Sequence, residues 1–132
     1  MGNNKENKYI KIQDLEIYKL SRELSRIVWN IYEKLDWQDK KIMGNQFIQA
    51  IDSFGANITE GYSRYHFLDK IKFYYNARAS LSEANDYWLE IIFERQKITE
   101  EIYKKYKIIA QKCSVKLQNM ISSTYQAKNK FQ

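Results

Sequence analysis

Four stretches of the chain repeat apolar residues every three or four positions, the spacing that gathers side chains on one face of an α-helix. In the first, Ile17, Leu20, Leu24, Ile27, Val28, Ile31 and Leu35 share a face that excludes Arg22, Arg26 and Glu33. This predicts a helix over about residues 14–35 with Asp14 near its cap. The connection DWQDK offers Asp36 or Asp39 as the next cap, and its shortness sends a second helix back antiparallel along Met43, Phe47, Ala50, Ile51, Phe54 and Ile58. After GYSRYH a third helix is predicted over about residues 67–96. It carries two seams, Ile71, Tyr74, Leu81, Trp88 and Ile92, and beside them Phe73, Ala77, Ser80, Ala84, Tyr87 and Ile91. That arc is wider than one bundle core uses, so part of it is expected to face a second chain; the small Ala77, Ser80 and Ala84 suit either a close helix contact between chains or an ordinary core. The fourth helix is predicted to start at Thr99, with Glu100 and Glu101 in its electropositive first turn. It continues through Ile102, Tyr106, Ile109, Cys113, Leu117 and Met120, and the pattern dissolves after about Thr124.

No stretch alternates as a strand does, and the chain contains no proline to interrupt a helix. Its 132 residues are the size of one domain, and 44% hydrophobic content is enough to build a core. The expected fold is all-α, an antiparallel up-down-up-down four-helix bundle over residues 12–123, between a flexible N-terminal tail (1–11) and a frayed basic C-terminal tail (124–132). One Cys and one His preclude an internal disulfide and a Cys/His metal cluster, so no metal is expected. The only histidine, His66, has Ser63 three residues before it, which does not match the Glu-x-x-His of di-iron bundles, and no nucleophile pattern surrounds it. Cys113 reads as a buried small hydrophobe. With no Walker sequence and no G-x-G-x-x-G, no cofactor is expected and the chain reads as a non-enzyme. The polar start MGNNKENK lacks the apolar stretch of a secretory signal, no run is apolar for long enough to span a membrane, and a cytoplasmic protein is expected.

Charge adds the candidate chemistry. The formal net charge is +6, yet residues 104–132 hold seven lysines and no acid, so the excess is concentrated there. Lys105, Lys112 and Lys116 fall within about 40° of one another on the predicted fourth helix, with Lys104 and Lys107 as secondary positions. Repeated around an oligomer, such a stripe makes a polyanion surface. Alternatively the lysines face Glu83, Asp86, Glu90 and Glu94 of the third helix, or answer the macrodipole. Asn57 and Glu60, near the end of the second helix, are close enough to meet one partner supplied by Arg78 or Glu83. Gly61 is expected to take a left-handed helix end there. Arg64 and Arg78 are read as structural ion-pair partners, with phosphate contact as the alternative.

The residues also carry a resemblance. Asp14-Leu15 with Tyr18, then Gln46, Ala50 and Ser53, Asn57-Ile58-x-Glu60-Gly61-x-x-Arg64, and Phe73 with Ala77-Arg78-x-Ser80-Leu81-x-Glu83 resemble the four-helix bundle family of the 23S rRNA intervening-sequence protein over about residues 10–120. The family is similar in fold to the accessory protein Avd of diversity-generating retroelements, a barrel-shaped pentamer that binds nucleic acid and a reverse transcriptase. The resemblance implies a homopentamer and a nucleic-acid-binding or accessory scaffold, or else a protein-interaction scaffold for a partner such as a reverse transcriptase. The chain departs from the family where a basic pair often follows the helix-two Gln, here Ile48-Gln49, at Gly55 in place of a frequent proline, and at His66 with Asp69 in place of a Ser-x-x-Glu helix start. Without that pair, the binding surface is expected on the fourth helix.

Overall fold

A computed structural model describes residues 9–131; most of the expected N-terminal tail, residues 1–8, lies outside the described residues, as does residue 132. Among the described residues there are four helices and no strand. A 3-10 turn at Ile12–Asp14 leads into α1, Glu16–Lys34. The second helix, α2, comprises Trp37–Asp39, a π turn at Lys40–Gly44 and Asn45–Ser63. The third, α3, comprises Phe67–Glu83, a π turn at Ala84–Trp88 and Leu89–Glu94. The fourth, α4, is Glu100–Phe131. Each helix packs against its neighbours in sequence, and α4 also packs against α1, which closes the core.

Two of the expected caps form. Asp36 Oδ1 accepts the Asp39 amide at 2.8 Å, and Thr99 Oγ1 accepts the Ile102 amide at 3.2 Å. Asp14 does not cap α1, because it belongs to the 3-10 turn and Leu15 occupies the cap position. His66 sits at the N-cap of α3 without a side-chain cap bond. The end of α3 is a Schellman motif with Gln96 at φ 61°, where Lys97 N–H reaches Ile92 O at 3.0 Å and Gln96 N–H reaches Phe93 O at 2.9 Å. A left-handed glutamine bears a Cβ penalty that glycine lacks. Gln96→Gly is therefore expected to stabilise the protein by about 0.5–1 kcal/mol, read as a small rise in thermal midpoint.

Every seam residue expected on α1 and α2 is buried. On α3 the seam shifts: Leu89 is fully buried and Trp88 only half-buried, because the π turn at Ala84–Trp88 sets the buried Ala84 and Leu89 five positions apart. Ala77 and Ala84 lie in the chain's own core, and only Tyr87 of the second seam is exposed. Gly61 is buried inside α2 and has no positive φ, so it does not act as a left-handed terminus. A Cβ there would stand 2.7 Å from Tyr74 Cε1 and 3.0 Å from Phe73 Cβ, so glycine is what lets α3 approach α2 this closely. The helix also outlasts the pattern at the C-terminus. Ile121 is buried, Thr124 and Ala127 are half-buried, and Tyr125 meets the Tyr75 hydroxyl at 3.4 Å, so α4 stays helical to Phe131 where a frayed tail was expected.

Candidate nucleic-acid interface

The α4 seam Tyr106, Ile109, Cys113 and Leu117 is buried, which turns Lys104, Lys105, Lys107, Lys112 and Lys116 outward. They are not equivalent. Lys104 pairs with Glu100 one turn earlier at 2.9 Å, Lys107 with Glu90 of α3 at 3.5 Å, and Lys116 with Glu16 of α1 at 3.0 Å. Lys105 and Lys112 have no carboxylate within 4.0 Å among the described residues. Masking by α3, the alternative to a free lysine face, is thus confined to Lys107, while Lys116 is held by an acid at the opposite end of the chain. Glu90 also accepts from the Tyr103 hydroxyl at 2.6 Å, and this hydrogen bond raises the tyrosine's pKa. These exposed pairs contribute little to stability, but they lower the charge their lysines present.

Lys105 has company that charge spacing alone did not reveal. A hollow of about 210 Å³ opens between the C-terminal half of α1, the α3–α4 loop and the first turns of α4. Ile27, Ile31, Ile98 and Ile102 line it, together with the exposed Asn30, Lys34, Lys97 and Lys105. Lys97 is held by Asp39 at 2.9 Å, and this hydrogen bond raises its pKa. Lys34 has no ion-pair partner among the described residues. Lys34 and Lys97 escaped sequence reasoning because the hollow exists only when the α3–α4 loop folds onto α1. The one legible signal was Lys34 following Ile27 and Ile31 at helical spacing.

The polar residues of α2 and α3 do not form the expected single cluster. Glu60 pairs with Arg64 at 2.7 Å within the last turn of α2, and the Arg64 guanidinium lies 4.7 Å from the Phe73 ring centre. Asn57 Nδ2 donates to Ser53 O at 2.9 Å, and Ser53 Oγ meets Ser80 Oγ of α3 at 3.0 Å. Glu83 accepts from Trp88 Nε1 at 2.8 Å, while Arg78 covers Tyr75 and reaches Gln118 Oε1 at 3.4 Å. Arg64 therefore has an acid partner, whereas Arg78 is exposed and has a neutral one. The separation follows from direction: each side chain finds a bond on its own helix or the one beside it before it can span to the others.

His66 is exposed and touches the Tyr65 ring edge-on at 5.2 Å. Cys113 is fully buried, and burial pushes its thiol up to about 12, which keeps it protonated and unreactive. Among the described residues no three His, Cys, Asp or Glu side chains gather as metal ligands would, and no helix is long and apolar enough to cross a membrane.

The profile of the 23S rRNA-intervening sequence protein family matches residues 13–119 of the chain. A crystal structure from Bacteroides thetaiotaomicron, described as a protein of unknown function from the S23 ribosomal protein family, is similar in fold with a TM-score of 0.73. The two chains are 26% identical, over 80% of this chain and 97% of the other. The curated proteins include no match to this chain.

Proposed function

Starting from the fact that the chain belongs to the 23S rRNA-intervening sequence protein family, we propose that it is a non-catalytic nucleic-acid-binding scaffold that holds RNA or DNA phosphates on the lysine face of α4. The observation that carries this reading is the pair Lys105 and Lys112, exposed, without a described acid partner, in a stretch from residue 104 onward that contains no acid at all. The scaffold is an antiparallel up-down-up-down bundle. Its support is that paired contacts run in opposite directions along neighbouring helices: Ser25 meets Asp52 and the later Tyr32 meets the earlier Asn45, Ser53 meets Ser80 and the later Gly61 lies against the earlier Tyr74, and Asn85 meets Tyr106 while the later Glu90 meets the earlier Tyr103. A homopentamer, the assembly that the family resemblance implies, would repeat the face and add its fields.

A second reading, a scaffold for a protein partner such as a reverse transcriptase, has one observation in its favour. Ile108 and Val115 stand two turns apart on the outer side of α4, 59% and 49% exposed, an apolar pair among the lysines.

Affinity for unrelated RNA and DNA is expected to fall steeply between low and moderate salt. Lys105→Glu with Lys112→Glu should abolish binding at moderate salt and lower the slope of log affinity against log salt by about 2. Lys104→Gln with Lys107→Gln, whose charges are already offset, should do much less, and helicity and assembly mass should stay as in the parent. Failure to bind either polymer at low salt would retire the phosphate reading and leave the protein scaffold.

A further inference from the structure

The hollow beside Lys105 has a composition that a purely electrostatic phosphate surface does not call for. Three lysines converge on four isoleucines, no carboxylate lines the opening, and only Lys97 has an acid partner among the described residues. Ammonium groups gathered around one mouth repel each other, and an anion at the opening relieves that repulsion. The hollow's volume of about 210 Å³ is below the ~300–1,000 Å³ of sites for drug-sized ligands, so it suits a single ring system.

A second observation specifies the ring. Trp37 is 75% exposed, although tryptophan is highly buried on average. It opens the short helical turn that ends with Asp39, and the Lys97–Asp39 bridge fastens that turn to the rim of the hollow. An exposed indole on a turn bridged to a basic, ring-sized apolar hollow is the combination that suits single strands, whose unpaired bases stack on aromatic faces while lysines hold the backbone. A duplex keeps its bases paired inside and can use neither feature.

We propose that this end of the molecule binds an unstacked nucleotide of a single-stranded nucleic acid. Lys34 and Lys105 hold the phosphate, the isoleucine hollow takes the base with the Asn30 amide at its polar edge, and Trp37 stacks the neighbouring base. The assignment rests on the nucleic-acid reading above and narrows it to single strands.

The test titrates the full chain, at low salt, with a labelled uridine oligomer and with a duplex of the same length. The single strand is expected to bind at least about tenfold more tightly, and Trp37→Ala is expected to lose about tenfold on the single strand alone. Filling the hollow with Ile98→Trp should have the same selective effect, and a thermal melt close to the parent's shows that each variant is folded. Equal affinity for the two polymers, or variants that bind single strands as well as the parent does, would overturn the assignment while leaving a phosphate surface in place. If neither polymer binds, the phosphate reading fails by itself, and adenosine monophosphate then decides the hollow. Quenching of tryptophan fluorescence that Lys105→Gln removes would support a site for free nucleotides, and no quenching would overturn it.

Discussion

Gly61→Ala is expected to destabilise the protein by about 2 kcal/mol, although the same exchange at an exposed helical site gains about 1 kcal/mol. The added methyl carbon would lie 2.7 Å from Cε1 and 2.9 Å from Cδ1 of Tyr74. That ring is 2% exposed, so α3 must move away from α2 or the ring must leave its rotamer. Gly61→Leu extends the intrusion and is expected to cost several kcal/mol, a large share of the roughly 5–15 kcal/mol that folds a typical domain. The internal control is Gly55 on the same helix. There an added Cβ meets only the Ser21 side chain, at 3.3 Å from Oγ and 3.6 Å from Cβ, and Gly55→Ala should stay within about 1 kcal/mol of the parent. Urea unfolding followed by circular dichroism checks both. A Gly61→Ala protein as stable as the parent would show that Tyr74 is not seated against the α2 backbone. Tyr74→Leu should recover part of the Gly61→Ala loss in a double-mutant cycle, because removing the ring removes the collision.

The same glycine shows where the sequence stops being legible. The seams of α1 and α2 could be read residue by residue, since a helical period forces each apolar position onto one face and every residue so assigned is buried. Gly61 reads locally as a terminus because its φ preference is local, whereas its real role depends on a ring thirteen positions later in another helix. Helix α3 departs from its sequence pattern for a related reason. A periodic template carries the phase past Ala84 to Trp88, but the π turn adds a residue and hands the core position to Leu89. No local preference in the run Ala84-Asn85-Asp86-Tyr87-Trp88 announces that turn.

The candidate interface divides along the same line. That α4 is basic follows from composition, and that Lys104 can meet Glu100 follows from their four-residue spacing. Which lysines remain available for a polyanion is a tertiary property, decided by Glu16 and Glu90 reaching Lys116 and Lys107 from other helices. The charge therefore shifts from an even stripe toward Lys112 and toward the Lys34–Lys105 end of the molecule. The polar residues of α2 and α3 were legible as hydrogen-bonding groups but not as separate pairs, because spacing along one helix says nothing about which neighbour a side chain reaches first.

Raising the pH should unfold the protein steeply, and the buried acids of the core set the direction. Burial pushes the Cys113 thiol up to about 12, pushes the Tyr74 phenol up to about 12, and raises the Tyr106 phenol as well. In the unfolded chain a thiol titrates near ~8.5 and a phenol near ~10. Above about pH 8.5 the unfolded chain releases a proton that the folded chain keeps, and above about pH 10 it releases two more. The folded state binds more protons throughout this window, so stability is complete below it and falls as pH rises, by about 1.4 kcal/mol per pH unit for each proton. Three such groups drain about 4 kcal/mol per unit above pH 10, and the helical signal is expected to collapse between about pH 10 and 12. Cys113→Ala should flatten the first part of the decline while costing some packing at neutral pH. Tyr106→Phe should flatten the second part, at the cost of the 2.6 Å bond to Asn85 Oδ1. Stability measured in urea at pH 7, 9 and 10.5 checks the slopes, and a curve level across that range in the parent would mean that these groups are not held in a dry core.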